Sequence, residues 1–372
     1  MSTVLEQAQE SAAIAAQHAD ESEAGRRLAA PVVDALKRSQ AFRMFVPRCY
    51  NGPEVDPLTA LDAIITIAAG DGAAGWCTAI ASLTSHCAGT LAPDWARVIY
   101  SDPDGVTGGA FAPTATARAA DGGFSVDGRW SWGSGSQHCT WLTGGALDEQ
   151  GQFRIMFFEA PQVTIHDTWY SSGLRGTGSH DLEVQGQFVP EGRWLMPVGA
   201  RPQVDAPISR MPMYTLFAGG VAAVLIGVAR HAIDELRALA MVKRPTGSGK
   251  TLAEHAMTHQ DLGRAEALLR SARAWLMEET AAAWDIVCTG GRVPTDLRVR
   301  VRAAATHASV AARQATDLVY DLGGGSSVYS KSPLQRCFRD VHTGSAHIMV
   351  TQRNFETFGR ERLSLPIDTS ML

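Results

Sequence analysis

The feature that most limits the fold of this chain is a change of hydrophobic period in its middle third. Up to about residue 100, Ala, Leu and Glu recur at helical spacing, broken by Gly/Pro pairs at "YNGPEVDP" (50–57). The run from Leu58 to Thr90 is rich in small residues and reads as two closely packed helices broken near Gly70–Gly75. From about 103 to 195 the period shortens to two. In "GGFSVDGRWSW", Phe124, Val126, Trp130 and Trp132 fall on one side of an extended chain. "FRIMFF" and "VTIHDTW" read as further short strands. From about 205 helical spacing returns. Leu262, Ala265, Leu269, Ala272 and Leu276 form one stripe, a second long helix is closed by Gly323, and a third segment breaks near Gly344. The expected fold class is therefore α+β: an N-terminal helical domain (1–102), a central β-barrel or sandwich (103–204) and a C-terminal helical bundle (205–372). Clefts between such units favour ligand pockets.

The bulk numbers permit this. A chain of 372 residues, 45% hydrophobic, can bury a large core in two or three units. A net charge of −5 without a Lys/Arg run offers no nucleic-acid face. Six cysteines are scattered without a CxxC, which suits free thiols in a reducing cytosol. The N-terminus lacks a basic start and an apolar core, and the run "GGVAAVLIGVA" (219–229) is too short to span a bilayer. A cytoplasmic protein without membrane contact is the expectation.

Several motifs fall short of the chemistry they suggest. "TGSGKT" (246–251) ends like a phosphate loop, but Arg244 stands where the first Gly should be and no strand precedes it. His255 and His259 have helical i, i+4 spacing but no third ligand nearby, so no metal site is expected. "GLRGTGS" (173–179) is followed by strand-like sequence, not by the helix a dinucleotide fingerprint needs. No Gly-x-Ser-x-Gly elbow of useful spacing is present.

The stretch "GRWSWGSGSQHCTW" (128–141) is different: it places three Trp, three Ser and three Gly in fourteen positions. It reads as an aromatic-rich turn or as the wall of a site for a flat ligand. An indole offers a flat apolar face, and a Ser two residues on points the same way along a regular strand.

Four pieces then line up in order: "VDGRWSWGSGSQHCTW", "GLRGTGSHDLEVQGQFVPEGRW", "KRPTGSGK" and "DLGGGSSVYSKSPLQRCFRDVHTGSAH". Together they resemble the acyl-CoA dehydrogenase superfamily, and within it the two-component, reduced-flavin-dependent monooxygenases of the 4-hydroxyphenylacetate and phenolic steroid hydroxylase type. The resemblance spans nearly the whole chain. It implies a C-terminal four-helix bundle, a homotetramer, and a flavin between the β-domain and the bundle. FMN stands ahead of FAD, O2 is the co-substrate, and a separate NAD(P)H:flavin reductase is the partner. Trp132 and Ser134 match the Trp-x-Thr strand that lines the flavin ring, and Phe111 matches the neighbouring strand. Arg244 and Thr246 match an Arg-x-Thr that binds flavin phosphate from a neighbouring subunit. Gly323 and Gly324 match a Gly-Gly turn that approaches the cofactor of another subunit.

The resemblance also implies a mechanism, in which a C4a-hydroperoxyflavin hydroxylates a phenol or another electron-rich ring. Ser134 or Ser136 would hydrogen-bond the flavin or the peroxide. A histidine would take the substrate's proton, His347 first and His86 second, with His138 and His342 behind them. Arg175 and Ser179 fall in a loop bordering the pocket. Where many dehydrogenases carry a catalytic Glu, "RDVHTGSAHIMV" (339–350) has His347 and Ile348. The alternatives are a flavin-dependent acyl-CoA dehydrogenase or oxidase, and an N- or S-oxygenase on the same scaffold.

Overall fold

The computed structural model describes residues 3–372. Six helices fill its N-terminal part: α1 (Val4–Gln17), α2 (Ala19–Gly25), α3 (Ala30–Arg38), α4 (Pro57–Gly70), α5 (Gly72–Ser85) and α6 (Pro93–Tyr100). The break between α4 and α5 falls at Asp71, which is extended and whose carboxylate accepts the Ala74 N–H at 2.9 Å. That is an N-cap, and it starts α5. A Cβ at Gly75 would lie 2.4 Å from that of Ala68, so the two helices pack almost backbone to backbone. The small-residue run is what makes this approach possible.

The central unit is one seven-stranded sheet: β1 (Thr107–Ala120), β2 (Gly123–Gly133), β3 (Trp141–Asp148), β4 (Phe153–Glu159), β5 (Thr164–His166), β6 (His180–Pro190) and β7 (Trp194–Leu195). The spatial order is β5-β6-β2-β1-β3-β4-β7. Among the described residues only the β1–β3 pair is parallel. The sheet curls on itself, so that Trp130 of β2 and Phe158 of β4 meet at 5.8 Å although two strands lie between them. Val126, Leu142, Met156 and Leu182 complete this core.

The alternation expected along β2 fails at its end. The pairing of β2 with β6 slips between Val126 and Gly128 and again between Trp130 and Gly133. The first slip puts its extra residue on β6 and leaves Val126 and Trp130 on one side of β2, whereas the second puts its extra residue on β2, after Trp130. Trp130 is therefore core, 1% exposed, with its Nε1–H donated to the Gly145 carbonyl at 2.8 Å. Trp132 is 69% exposed and sits at φ +68. The two indoles do not share a side. Nor do Trp132 and Ser134, because Ser134 is buried.

Five helices follow: α7 (Met213–Val242), α8 (Ala256–Cys288), α9 (Thr295–Gly323), α10 (Pro333–Gly344) and α11 (Arg353–Arg362). The stripe read along α8 is inside at Ala265, Leu269, Ala272 and Leu276, with Leu262 partly buried. One apolar core runs without interruption from α1 through α4, α5 and α7 to α9. Helix α7 extends well past the apolar run at 219–229. By length and composition it is long enough to cross a membrane, yet 83% of its most apolar stretch is buried within the protein. It is the central helix of the core, apolar all round up to Ala229 because that part is surrounded.

Candidate active site

The hydroxyls after β2 form a directed chain. Trp76 of α5 donates its Nε1–H to Ser134 Oγ at 3.0 Å. Ser134 Oγ lies 2.7 Å from Ser179 Oγ, and Ser179 Oγ lies 2.6 Å from Thr177 Oγ1. Thr177 Oγ1 lies 2.7 Å from the Leu174 carbonyl, which can only accept. Each hydroxyl owns one proton, so the direction is fixed: Thr177 donates to Leu174, Ser179 to Thr177 and Ser134 to Ser179. Ser134 and Ser179 are left with lone pairs and no free proton.

The loop carrying Thr177 and Ser179 is held from three sides. Gly135 N–H donates to the Thr177 carbonyl at 2.8 Å, which ties the loop to the turn after β2. Asp340 of α10 accepts the Leu174 N–H at 2.5 Å. A Cβ at Gly173 would lie 2.1 Å from the Arg339 carbonyl, so only Gly fits there. The glycines of "GLRGTGS" serve close backbone approach. Asp340 is buried and its carboxyl is pushed up to about 7, first by burial.

Aromatic rings continue the site. His347 follows α10 and meets Trp76 edge-on, with ring centres 5.6 Å apart. It also lies 5.6 Å from Phe217 of α7, whose ring stacks on Phe111 of β1 at 5.8 Å. Phe111, Phe217, His347, Trp76 and Ser134 thus form one connected set drawn from all three parts of the fold. Burial, and then the charge of Arg302, lower His347 to about 4, so it is neutral near pH 7. Its Nδ1 accepts the Met349 N–H at 3.2 Å. A neutral imidazole that accepts at Nδ1 carries its proton on Nε2. The free nitrogen is therefore a donor, whereas the sequence suggested a proton acceptor.

A second cluster sits at the other end of α7. Lys243 donates its ammonium to the Gly323 carbonyl, joining the loop after α7 to the turn after α9. Arg244 and Thr246 are exposed there, and Arg244 donates to the Gly249 carbonyl at 2.7 Å. Gly324 has φ +48. The four residues of the suggested phosphate grip thus gather at one place. At 1.5 Å per residue, α7 carries that place roughly 38 Å from Phe217.

The remaining candidates are scattered. His86 is buried after α5, its Nε2 is 3.0 Å from the Ile208 carbonyl, and its Nδ1 has no partner. Burial lowers it to about 4. Its ring pairs with none of the rings of that set. Ser136 Oγ is buried and unpartnered in the turn beside Ser134. His138 stacks on Phe42 at 5.1 Å. His342 is 2.8 Å from Asp317 on the outer face of the bundle. Arg175 stands in the 173–179 loop with a buried, unpartnered Nε. His255 is bonded to Ser248, and His259, in the first turn of α8, to the Ala253 carbonyl. Sequence reasoning missed Trp76 and Phe217, and gave Ser179 no role. A lone large residue inside the small-residue run "GAAGWCTAIAS" was the available signal for Trp76.

The residues suit a flat heteroaromatic group with a polar edge. Trp132 presents an open indole face, and a bulky residue at positive φ is an uncommon, costly conformation that clusters at functional sites. The neighbouring hydroxyls offer acceptors, and Ser136 Oγ is an orphaned buried polar atom.

Comparison with known proteins identifies the family. Residues 219–352 match the family described as acyl-CoA dehydrogenase, C-terminal domain. The chain is 31% identical to an indole-3-acetate monooxygenase of Pseudomonas putida, over 90% of this chain and 87% of that one. It is 28% identical to the flavin-dependent monooxygenase oxygenase subunit HsaA of Rhodococcus jostii, over 96% and 97% of the two chains. The crystal structure of 3-HSA hydroxylase from Rhodococcus sp. RHA1 superposes with a TM-score of 0.93 at 26% identity, covering 99% of this chain and 98% of that one.

Proposed function

The chain belongs to the flavin-dependent monooxygenases built on the acyl-CoA dehydrogenase fold, and from that premise we propose how its residues divide the work. It is an oxidoreductase, the oxygenase component of a two-component system, acting with reduced flavin and O2 on a small aromatic molecule. A separate NAD(P)H:flavin reductase supplies the reduced cofactor. The bound flavin would supply the activation of dioxygen.

The observation that carries the division of roles is the polarity of the hydroxyl chain. Ser134 and Ser179 have spent their protons along the chain and retain only lone pairs. Such a surface takes an N–H from a ligand and disfavours a ligand atom that itself needs a proton. A reduced flavin ring carries an N–H where the oxidised ring carries a bare nitrogen. Ser134 therefore selects the reduced cofactor, Trp132 covers its face, and Ser136 offers a further hydroxyl at its edge. Phe111, Phe217 and Trp76 keep water from the reacting centre. His347, held by the Met349 N–H, points a donor rather than a base at the substrate oxygen and stabilises charge that develops there. His86 lies outside this set and shapes the wall against Ile208.

The 38 Å between Phe217 and the Arg244 loop sets the assembly. Arg244 and Thr246, with the turn at Gly323 and Gly324, grip the phosphate of a flavin whose ring lies in another copy of the chain. We propose that the assembly is a homotetramer and that it works in the cytoplasm. FMN fits it better than FAD, since the grip need hold only one phosphate.

The test is anaerobic titration of the purified protein with reduced and with oxidised FMN. Reduced FMN binds more tightly to the native protein, and Ser134→Ala removes the difference. Equal affinities in the native protein would overturn the assignment. Incorporation of labelled dioxygen into an added phenol or indole checks the reaction itself.

A further inference from the structure

The loop that carries Thr177 and Ser179 starts on a strained residue. Leu174 has φ +50, a left-handed conformation that a branched side chain adopts only when its surroundings impose it. Its side chain is buried. Its carbonyl accepts the Trp169 Nε1–H at 3.0 Å and the Thr177 hydroxyl at 2.7 Å, while its N–H goes to Asp340.

Two successive residues of α10 impose that conformation. Arg339 donates from its guanidinium to the Ser172 carbonyl at 2.5 Å, and its own carbonyl lies against Gly173. Asp340 Oδ1 takes the Leu174 N–H at 2.5 Å. Residues 172, 173 and 174 are thus each met by the Arg339–Asp340 pair. The two halves of this grip differ in electrostatics. Arg339 is ion-paired to Glu23 of α2 at 2.7 Å, and its neighbour Arg336 is spent on Glu23 and Asp20. Among the described residues no cation lies within ion-pair distance of Asp340, which is 5% exposed. Burial pushes its carboxyl up to about 7; the Leu174 N–H opposes this, Asp71 at the start of α5 and Glu23 add to it, and Arg339 subtracts. Arg336 and His231 of α7 bear on Asp71 in turn. An N–H held by a carboxylate is about twice as strongly bound as one held by a neutral acceptor. The grip on Leu174 is therefore firm when Asp340 is ionised and weak when it is not.

We propose that the Arg339–Asp340 pair is a proton-controlled clamp on residues 172–174, closed when Asp340 is ionised, and that it positions Thr177 and Ser179 against Ser134 for binding of the reduced flavin. The proposal rests on the reading of Ser134 given above. Asp340 is a positioning residue: it acts through Leu174 and the hydroxyl chain. In acid the clamp loosens, Leu174 relaxes toward an ordinary conformation, and Ser179 loses its place.

Hydrogen exchange of the whole protein without flavin reads the clamp directly. At pH 8, peptides covering 173–179 exchange about tenfold faster in D340N than in the native protein. At pH 6, where the native carboxyl is itself uncharged, the two exchange alike. Intrinsic exchange rates change with pH equally in both proteins and cancel in the ratio. A packing role for Asp340 gives the same difference at both pH values; that result, or no difference at pH 8, overturns the proposal. If D340N does not fold, the native protein decides: protection of 173–179 relative to β1 falls between pH 8 and pH 6, and a level ratio overturns the proposal. Titration with reduced and oxidised FMN separates the clamp from the reading it rests on. The preference for reduced FMN is smaller in D340N than in the native protein at pH 8 and equal to it at pH 6. A native protein without that preference removes the Ser134 reading, and with it the clamp's part in flavin binding, even where exchange shows the clamp. A preference that S134A abolishes but D340N leaves intact at pH 8 overturns the clamp and leaves the Ser134 reading standing.

Discussion

At the scale of single residues, His347 and Trp132 are the sharpest probes. His347 was legible as a candidate from its place after the Arg-Asp pair, but its protonation was not, because the tautomer depends on a backbone N–H two residues on. His347→Ala is expected to bind reduced flavin normally, to lose about 10²-fold in product formation, and to release hydrogen peroxide instead. His347→Gln, which restores an N–H donor, recovers part of the coupling. Product and peroxide counted per reduced flavin consumed decide the matter; normal coupling in the Ala variant removes His347 from the mechanism. Trp132 was legible as a candidate for the flavin wall, but its backbone was not. Gly accepts φ +68 without strain. Trp132→Gly should therefore melt at or above the native temperature while binding flavin more weakly, and a lower melting temperature would show that the exposed indole is structural.

Among elements, the long helices were readable and the end of β2 was not. The stripe on α8 and the closure of α9 at Gly323 rest on local spacing, and local spacing persists in the fold. Two slips of register cannot be seen in a pattern of alternation, since they are set by the partner strand β6. Trp76 escaped for a related reason: α5 is buried on every side, so no stripe marks the face that meets Ser134. The stretch 198–217 showed no pattern and resolves into a short 3-10 turn at Pro207–Arg210 and the first turn of α7. The loop after α7 offers an element-level prediction. Arg244 is exposed and bonded only to its own loop, so Arg244→Ala should leave the fold and the melting temperature unchanged. Flavin affinity should fall about tenfold, by loss of a charge-assisted contact to phosphate. Unchanged affinity by equilibrium dialysis would exclude the phosphate role.

On the scale of the whole molecule, buried titratable groups set the response to pH. His86, His138 and His347 are each lowered to about 4 by burial, and the unfolded chain titrates near 6.5. Between those values the unfolded state binds more protons, so their contribution is present above about 6.5 and lost as pH falls toward 4. Asp340, raised to about 7, Asp71, also raised, and His231, raised to about 11, act in the opposite sense. The four lowered histidines, His180 included, outweigh these three, so the urea midpoint should fall between pH 7 and pH 5. Asp340→Asn, which keeps an acceptor for Leu174, should steepen that fall; a midpoint that stays level or rises in acid would refute the balance. The slip after Trp130 has a consequence of another kind. Trp130 keeps the inward side it shares with Val126, and the extra residue that follows it on β2 is what sets Trp132 free. Removing one residue between Trp130 and Gly133 would erase that extra residue and put Ser134 out of step with Thr177 and Ser179. The length of this short stretch is therefore more constrained than its composition.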